Sequence, residues 1–318
     1  MIKIGQLAMQ REILMQPIQG VRYFNRRFPK LGIEPLALSE LFRRVPPDHL
    51  DHPQRPAFHL LMLFSSGTTT HFLDFERFRC TAGTLLHVRP GQVQQFVPGA
   101  EVEATVVLFT PEFVLPDEAA NHPLVRGSAL DHAAARGAIN LDADSYGRVC
   151  AGFAAVIDEY KRSDGSTTCA NILQHQLHVL LLQIARCSDR HEAPLLSSHH
   201  RTFRHFLTEV EAHFMRTRRV EDYADRLGCS TKALRRACLA VRGLPPKMMI
   251  EERVILEAKR LIAYTLWPIK VIAETVGFGE TTNFVKFFCH HAGMTPSQFR
   301  TRFPGRSRPE SRSYETGT

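Results

Sequence analysis

Between residues 59 and 109 the apolar positions fall into short runs separated by turn-forming pairs. His59–Phe64, His71–Phe75, Thr84–Val88, Val93–Val97 and Val102–Phe109 are interrupted by Ser66-Gly67, Ala82-Gly83 and Pro90-Gly91. Runs of this length, punctuated by Gly and Pro, predict β-strands. Their close spacing predicts a sandwich or barrel.

Near Asp142 the period lengthens to that of a helix. Tyr146, Val149, Cys150, Phe153, Val156, Ile157 and Tyr160 form one stripe, and an Arg162-Ser-Asp-Gly-Ser166 turn follows. Ile172, Leu173, Leu177, Leu180, Leu181 and Ile184 form a second stripe. The second is wide enough to serve a core and a partner helix together. Beyond it, "CSDRHEAPLLSSHH" at 187–200 reads as a linker carrying a solvated His199-His200 pair, and "PGRSRPESRSYETGT" at 304–318 as a disordered tail.

The stretch between them is internally repetitive. Ala224-Asp-Arg-Leu-Gly-Cys-Ser230 recurs 49 residues later as Ala273-Glu-Thr-Val-Gly-Phe-Gly279, and Gly243-Leu-Pro-Pro246 recurs 50 residues later as Gly293-Met-Thr-Pro296. Each unit reads as a short helix (about Val220–Leu227 and Ile269–Val276), a glycine suited to the left-handed position, and a second helix with a polar outer face. Ser230 is the expected N-cap of the first reading helix, and Glu280-Thr281 opens the second, which extends to about His291. Leu234 and Phe284 are expected to point inward, with Phe287 and Phe288 also in the core. Ile250, Val254, Ala258, Leu261 and Ile262 predict a helix over Pro246–Tyr264 joining the units.

Charge sharpens this division. Residues 200–303 carry a net charge of +8, against −1 for 1–199 and +1 for the tail. The basic excess therefore lies in the paired helix units, where it would attract a polyanion. At 318 residues the chain is long enough for two or three domains. No apolar run approaches the roughly 20 residues of a membrane span, and "MIKIGQLAMQREILMQ" at the start lacks the form of a secretion signal. Seven scattered cysteines without a CxxC pair fit reduced thiols in a cytoplasmic protein.

The 201–303 region resembles the DNA-binding domain of the AraC/XylS family of bacterial transcription regulators. The resemblance rests on Ala224, Leu227, Gly228, Ser230, Leu234, Arg236 and Gly243, on "RVILEAKRLI" at 253–262, and on Gly277-Phe278 through Phe284, Phe288, Gly293, Pro296 and Arg300. Cys238, Cys289 and Gly279 depart from its usual pattern. The family implies double-stranded DNA as partner, with Ser230, Thr231, Lys232, Arg235 and Arg236 of the first unit and Thr281, Thr282, Val285 and Lys286 of the second facing it. Arginine can grip guanine O6 and N7 with two hydrogen bonds, whereas Thr and Val offer mainly contact to a thymine methyl, so the first unit should discriminate more. Arg236 could alternatively pair with Asp222 or Asp225. Arg216, Arg218, Arg219 and Arg242 are expected at phosphates or in solvent.

The strand region is similar to the cupin-like sensor half of the same family. A metal-dependent cupin needs converging His and Glu ligands, but the region has no His-x-His, Gln94 stands where a His often follows Pro-Gly, and His59, His71 and His87 are scattered. No Gly-x-Ser-x-Gly nucleophile motif or phosphate-cradling glycine loop is present. Neither a metal nor another cofactor is expected, nor is enzymatic activity. A small organic effector is expected in the barrel, with His71, Arg79 and Arg89 as candidate contacts, each of which could equally be a surface strand residue because the registers are unknown. The family often dimerises through its helical pair, which makes Leu173, Leu177, Leu180 and Ile184 candidate dimerisation residues; the alternative is that the pair only covers its own barrel.

The resulting expectation is an α+β chain. A cupin-like β-barrel sensor domain (1–140) precedes a helical dimerisation segment (141–187), a linker (188–200), an all-α double helix-turn-helix domain (201–303) and the tail (304–318). Its expected function is that of a small-molecule-responsive, homodimeric activator that engages RNA polymerase. The alternatives are an effector-independent regulator and a cupin-type metalloenzyme.

Overall fold

The structure is a computed structural model that describes residues 18–44, 52–96, 101–114, 137–188 and 198–303. The amino-terminal stretch read for a secretion signal, Val97 of the fourth strand run, most of the expected linker and the 304–318 tail lie outside the described residues. The chain divides into two compact units, 19–206 and 207 onward.

The first unit is built on strands β1 (Gln19–Val21), β2 (Ile33–Ala37), β3 (Gln54–Pro56), β4 (His59–Leu73), β5 (Glu76–Thr81), β6 (Thr84–Val88), β7 (Gln94–Phe96), β8 (Val102–Phe109) and β9 (Ala138–Asn140). Helix α1 (Leu38–Arg44) follows β2, and the short α2 (Pro111–Val114) follows β8. Helices α3 (Ala143–Arg162) and α4 (Thr167–Ser188) form the antiparallel pair that the two stripes predict.

Strand β4 organises the sheet. Its first part pairs antiparallel with β8 and β6, and its last residues pair with β5 and β7. The sequence reading divides this stretch into two strands at Ser66-Gly67, but the strand is continuous over 15 residues. Between Phe64 and Ser66 the register against β8 slips, and Gly67 has φ +76°. A Cβ there would lie 2.1 Å from the Glu101 carbonyl oxygen. The glycine therefore serves a bulge pressed against β8, where the turn signal suggested a chain reversal.

Two apolar clusters occupy the two faces of the sheet. Leu60, Met62 and Phe64 before the bulge join Leu73, Leu86, Phe96, Val106 and Leu108 in the barrel interior. Leu61, Leu63, Leu85, Val107 and Phe109 face the other way and pack with Val149, Phe153 and Val156 of α3. Leu173, Leu177, Leu180 and Ile184 of α4 are fully buried in this second cluster. That corrects the dimerisation assignment: these four side chains seal the helix pair onto its own sheet and present no surface to another chain. Periodicity alone could not separate the face used for the core from its neighbour on the same wide stripe.

A polar anchor absent from the sequence reading fixes the end of α3. Asn25 is fully buried; its Nδ2 donates to the Ile33 carbonyl at 3.0 Å, and its Oδ1 accepts from the Tyr160 hydroxyl at 3.0 Å. Arg27 donates to the carbonyls of Tyr160, Lys161 and Ser163, capping the helix C-terminus with positive charge.

Helix α5 (Ser198–His213) begins inside the expected linker and places His199-His200 in its first turn. The second unit continues with α6 (Val220–Arg226), α7 (Thr231–Arg242), α8 (Pro246–Tyr264), α9 (Ile269–Thr275), α10 (Thr281–Ala292) and α11 (Pro296–Arg302). Gly228 (φ +60°) and Gly277 (φ +84°) make the two inter-helix turns, and Gly243 and Gly293 cap α7 and α10 in the left-handed conformation. Helix α8 buries Ile250, Val254, Ala258, Leu261 and Ile262, the five positions that predicted it.

Candidate nucleic-acid interface and effector site

The two reading helices are held by different means. Ser230 caps α7, its Oγ accepting from the Ala233 amide at 3.1 Å, while Leu234, Ala237 and Cys238 are buried beneath it. On the opposite side Ser230, Thr231, Lys232, Arg235 and Arg236 are all exposed. Among the described residues, neither Arg235 nor Arg236 makes a hydrogen bond or ion pair, so the alternative pairing of Arg236 with Asp222 or Asp225 is not formed. Asp222 instead accepts from the Thr217 hydroxyl and lies 4.0 Å from Arg219.

Helix α10 has Glu280 at its N-cap without a side-chain capping bond. Phe284 and Phe288 are fully buried, and Phe278 packs against both Phe284 and Phe287. Thr282 and Lys286 are exposed, whereas Thr281 and Val285 are only half-exposed. Asn283 is exposed as well, a position that sequence reasoning missed. Its signal was available: it immediately precedes the buried Phe284 and lies three residues before Lys286. An exposed Asn can pair with adenine N6 and N7 through two hydrogen bonds.

Several arginines expected at phosphates or in solvent divide into two sets. Arg216, Arg219 and Arg242 are exposed. Arg218 is half-buried, its guanidinium 3.6 Å from the centroid of the Phe278 ring. A Cβ on neighbouring Gly277 would approach the Met215 carbonyl oxygen to 2.4 Å, so the chain leaving α5 is pressed directly onto the second turn. Arg300, from the family pattern, donates to the carbonyls of Ile262 and Trp267 and ties α11 to the end of α8. Arg253 makes two hydrogen bonds to Glu211, at 2.7 and 2.8 Å, locking α8 to α5.

The three candidate effector contacts are not brought together. His71 is fully buried on the barrel interior, edge-on to Phe96 at 4.4 Å. Arg79 lies between Phe78 and Cys80, which point inward, and strand alternation turns it outward to an exposed position. Arg89 is exposed at the turn after β6, its amide donating to Gln92 Oε1. Register was the missing information: the Glu76–Thr81 strand that carries Arg79 was not among the predicted runs, and Arg89 lies in the turn beyond one.

His59 and His87 do meet, Nδ1 to Nε2 at 3.0 Å, with His59 stacked on Phe109 on the helix-covered face of the sheet. Burial holds His59 neutral, its pKa lowered to about 3, and pushes His87 well below the usual value with help from His59 and Arg89. Among the described residues no group of three or more His, Cys, Asp or Glu side chains is arranged to hold a metal ion. None of the described helices is long and apolar enough to cross a membrane.

Two helix-turn-helix units with exposed reading helices, in one chain with a barrel domain, define a DNA-binding protein with a separate sensory half. Comparison with known proteins agrees. Residues 38–182 match the AraC-like ligand binding domain, and residues 223–302 match a helix-turn-helix domain. The HTH-type transcriptional activator RhaS of Escherichia fergusonii is 22% identical over 290 residues, covering 90% of this chain and 97% of that protein. The regulatory protein PocR of Salmonella typhimurium is 26% identical over 105 residues, 33% of this chain and 35% of PocR. Among solved structures, ToxT from Vibrio cholerae is 11% identical with a TM-score of 0.39, covering 87% of this chain and all of that one. The chain belongs to the AraC/XylS family of transcription regulators, and is a DNA-binding regulator with a ligand-binding domain.

Proposed function

We propose that this regulator is an effector-responsive activator that reads DNA chiefly with α7 and positions itself with α10. The observation that carries the reading is the unpaired, exposed Arg235 and Arg236 on a helix that also bears Lys232 and Arg242 and no acidic residue. Guanidinium groups left free of protein partners are available for guanine edges or phosphates. Ser230, Thr231 and Lys232 accompany them, and Thr281, Thr282, Val285 and Lys286, with Asn283, form the second contact. Helix α8, about 28 Å long for its 19 residues, separates the reading helices by a distance suited to successive turns of one DNA face.

Effector binding in the barrel shifts the balance between DNA-competent and idle states, which requires unequal affinity for the two. Activation implies contact with RNA polymerase. The protein works as a homodimer in this reading, through a different surface from the four leucine and isoleucine positions of the stripe. Ile172, Val179 and Leu182 stay exposed on α4, and Ile172 and Val179 border a groove of about 640 Å³ floored by Ala151, Gly152 and Ala155 of α3. The test is selection of bound duplexes from a random pool, with and without added small molecules. Repetition with Arg235→Ala plus Arg236→Ala then follows. Unchanged sequence preference in that variant would overturn the assignment of α7 as the principal reader.

A further inference from the structure

Among the described residues the barrel interior is mainly apolar; apart from Glu34, which pairs with Arg44, and Thr69, two buried polar side chains meet at one place. His71 is fully buried, and neither ring nitrogen has a hydrogen-bond partner among the described residues. Gln94 is also buried, and its Oε1 is unpartnered in the same sense. The two are diagonal neighbours on adjacent strands, because His71 faces Phe96 while Leu73 faces Gln94. Gln94 is close enough to favour the protonated ring, yet no bond of acceptable geometry forms between them.

Buried polar atoms are almost always matched, so a pair left open on facing side chains marks a place for a further polar group. A neutral imidazole brings one donor and one acceptor, and the Gln94 oxygen brings an acceptor. Leu73, Phe78 and Phe96 border this place with apolar surface. Neither cation of the sequence reading reaches it, Arg79 pointing outward and Arg89 lying on an exposed turn. Burial keeps His71 uncharged, its pKa lowered to about 3. An anion placed here would lose its hydration without gaining a counter-charge from His71.

We infer that the effector is an uncharged, mainly apolar molecule whose single hydroxyl-type group sits between His71 and Gln94. Its O–H donates to Gln94 Oε1, and its oxygen accepts from the His71 N–H. This rests on the effector-responsive reading above and adds the chemical class of the ligand.

Three probes sharing one apolar body separate the possibilities: 4-ethylphenol, ethylbenzene and 4-ethylbenzoate, titrated calorimetrically into the full-length protein at pH 7.5. The phenol should bind about tenfold more tightly than ethylbenzene, the order of one net hydrogen bond, and the benzoate more weakly than either. His71→Phe fills the same space without polar atoms and should reduce the phenol's advantage over ethylbenzene to less than about threefold. Gln94→Leu is the second variant, used if the first does not fold, with the same expected loss.

Tightest binding by the benzoate would overturn the inference while leaving effector control intact. So would binding of none of the three when a polar molecule such as a sugar stabilises the protein. A phenol advantage that survives both variants would move the site elsewhere. If no small molecule of any class alters stability or DNA binding, the effector-responsive reading itself fails.

Discussion

The two helix-turn-helix units share a backbone plan and divide the work of recognition unequally. In the first, α7 is capped by Ser230, carries four basic side chains and turns at a Gly228 with nothing within 4 Å of its would-be Cβ. In the second, α10 has a single lysine and an uncapped Glu280, but its Gly277-Phe278 turn is pinned by Met215 and Arg218. Charge is concentrated where the scaffold is open, and bracing where the reading face is nearly neutral. Equivalent sequence positions in a repeat therefore need not carry equivalent energies.

The largest test of this contrast is glycine replacement. Gly277→Ala must adopt a left-handed φ and also displace the Met215 backbone, so it should cost about 4 kcal/mol or abolish folding. Gly228→Ala meets only the backbone penalty and should cost about 1 kcal/mol. Chemical denaturation of both variants measures the difference, and equal losses would remove the idea that one turn is braced and the other is not.

DNA affinity gives the next effect. Arg235→Ala with Arg236→Ala should weaken binding to a selected duplex by about 3 kcal/mol, roughly a hundredfold, whereas Thr282→Ala with Lys286→Ala should cost about 1 kcal/mol. Titrations at several salt concentrations separate the contributions, because loss of a phosphate contact lowers the salt slope while loss of a base contact relaxes sequence preference. Reversed magnitudes would make α10 the principal reader.

Capping should show a smaller difference, with opposite signs. Ser230→Ala loses a formed cap and should destabilise by about 1 kcal/mol, while Glu280→Ser supplies a missing one and should stabilise by about 0.5 kcal/mol. Thermal melting resolves both.

A last comparison sets the barrel against the DNA-binding unit as pH changes. His59, His71 and His87 have folded pKa values below the unfolded value of about 6.5, because burial penalises the charged ring. The unfolded chain therefore takes up more protons as pH falls below 6.5, and the barrel loses stability toward pH 5 by at most about 1.4 kcal/mol per histidine per pH unit. Melting curves at pH 7.5 and pH 5.5 should show this, with His71→Phe reducing the loss by about a third.

The helical third was legible because a repeat states its own boundaries. Gly243, Gly293 and Pro246 punctuate it, and the five apolar positions of α8 are at helical spacing. The barrel was legible only in part as strands, with Glu76–Thr81 and Ala138–Asn140 unread, and not as faces. Arg79 and His71 sit in similar local sequence, and only pairing across β4, β5 and β7 reveals that one points outward and the other inward. The 18–56 region offered no pattern that was read at all, although Asn25 and Arg27 secure α3 through contacts more than 130 residues away in the chain. On α4, burial of Leu177 and exposure of Val179 depend on which neighbour the helix meets, information that a wide stripe does not contain.

The bulge after Phe64 makes inside and outside a matter of odd and even numbers. Ahead of it the even positions Leu60, Met62 and Phe64 face the barrel interior; beyond it the odd positions His71 and Leu73 do. Losing one codon between the bulge and His71, at Thr68, would shift the alternation of everything beyond it, delivering Thr70 and Phe72 inward and carrying His71 out to solvent. Such a deletion would erase the interior polar group without substituting it, so ligand preference in relatives of this chain could change by a shift in strand length as readily as by replacement of a side chain.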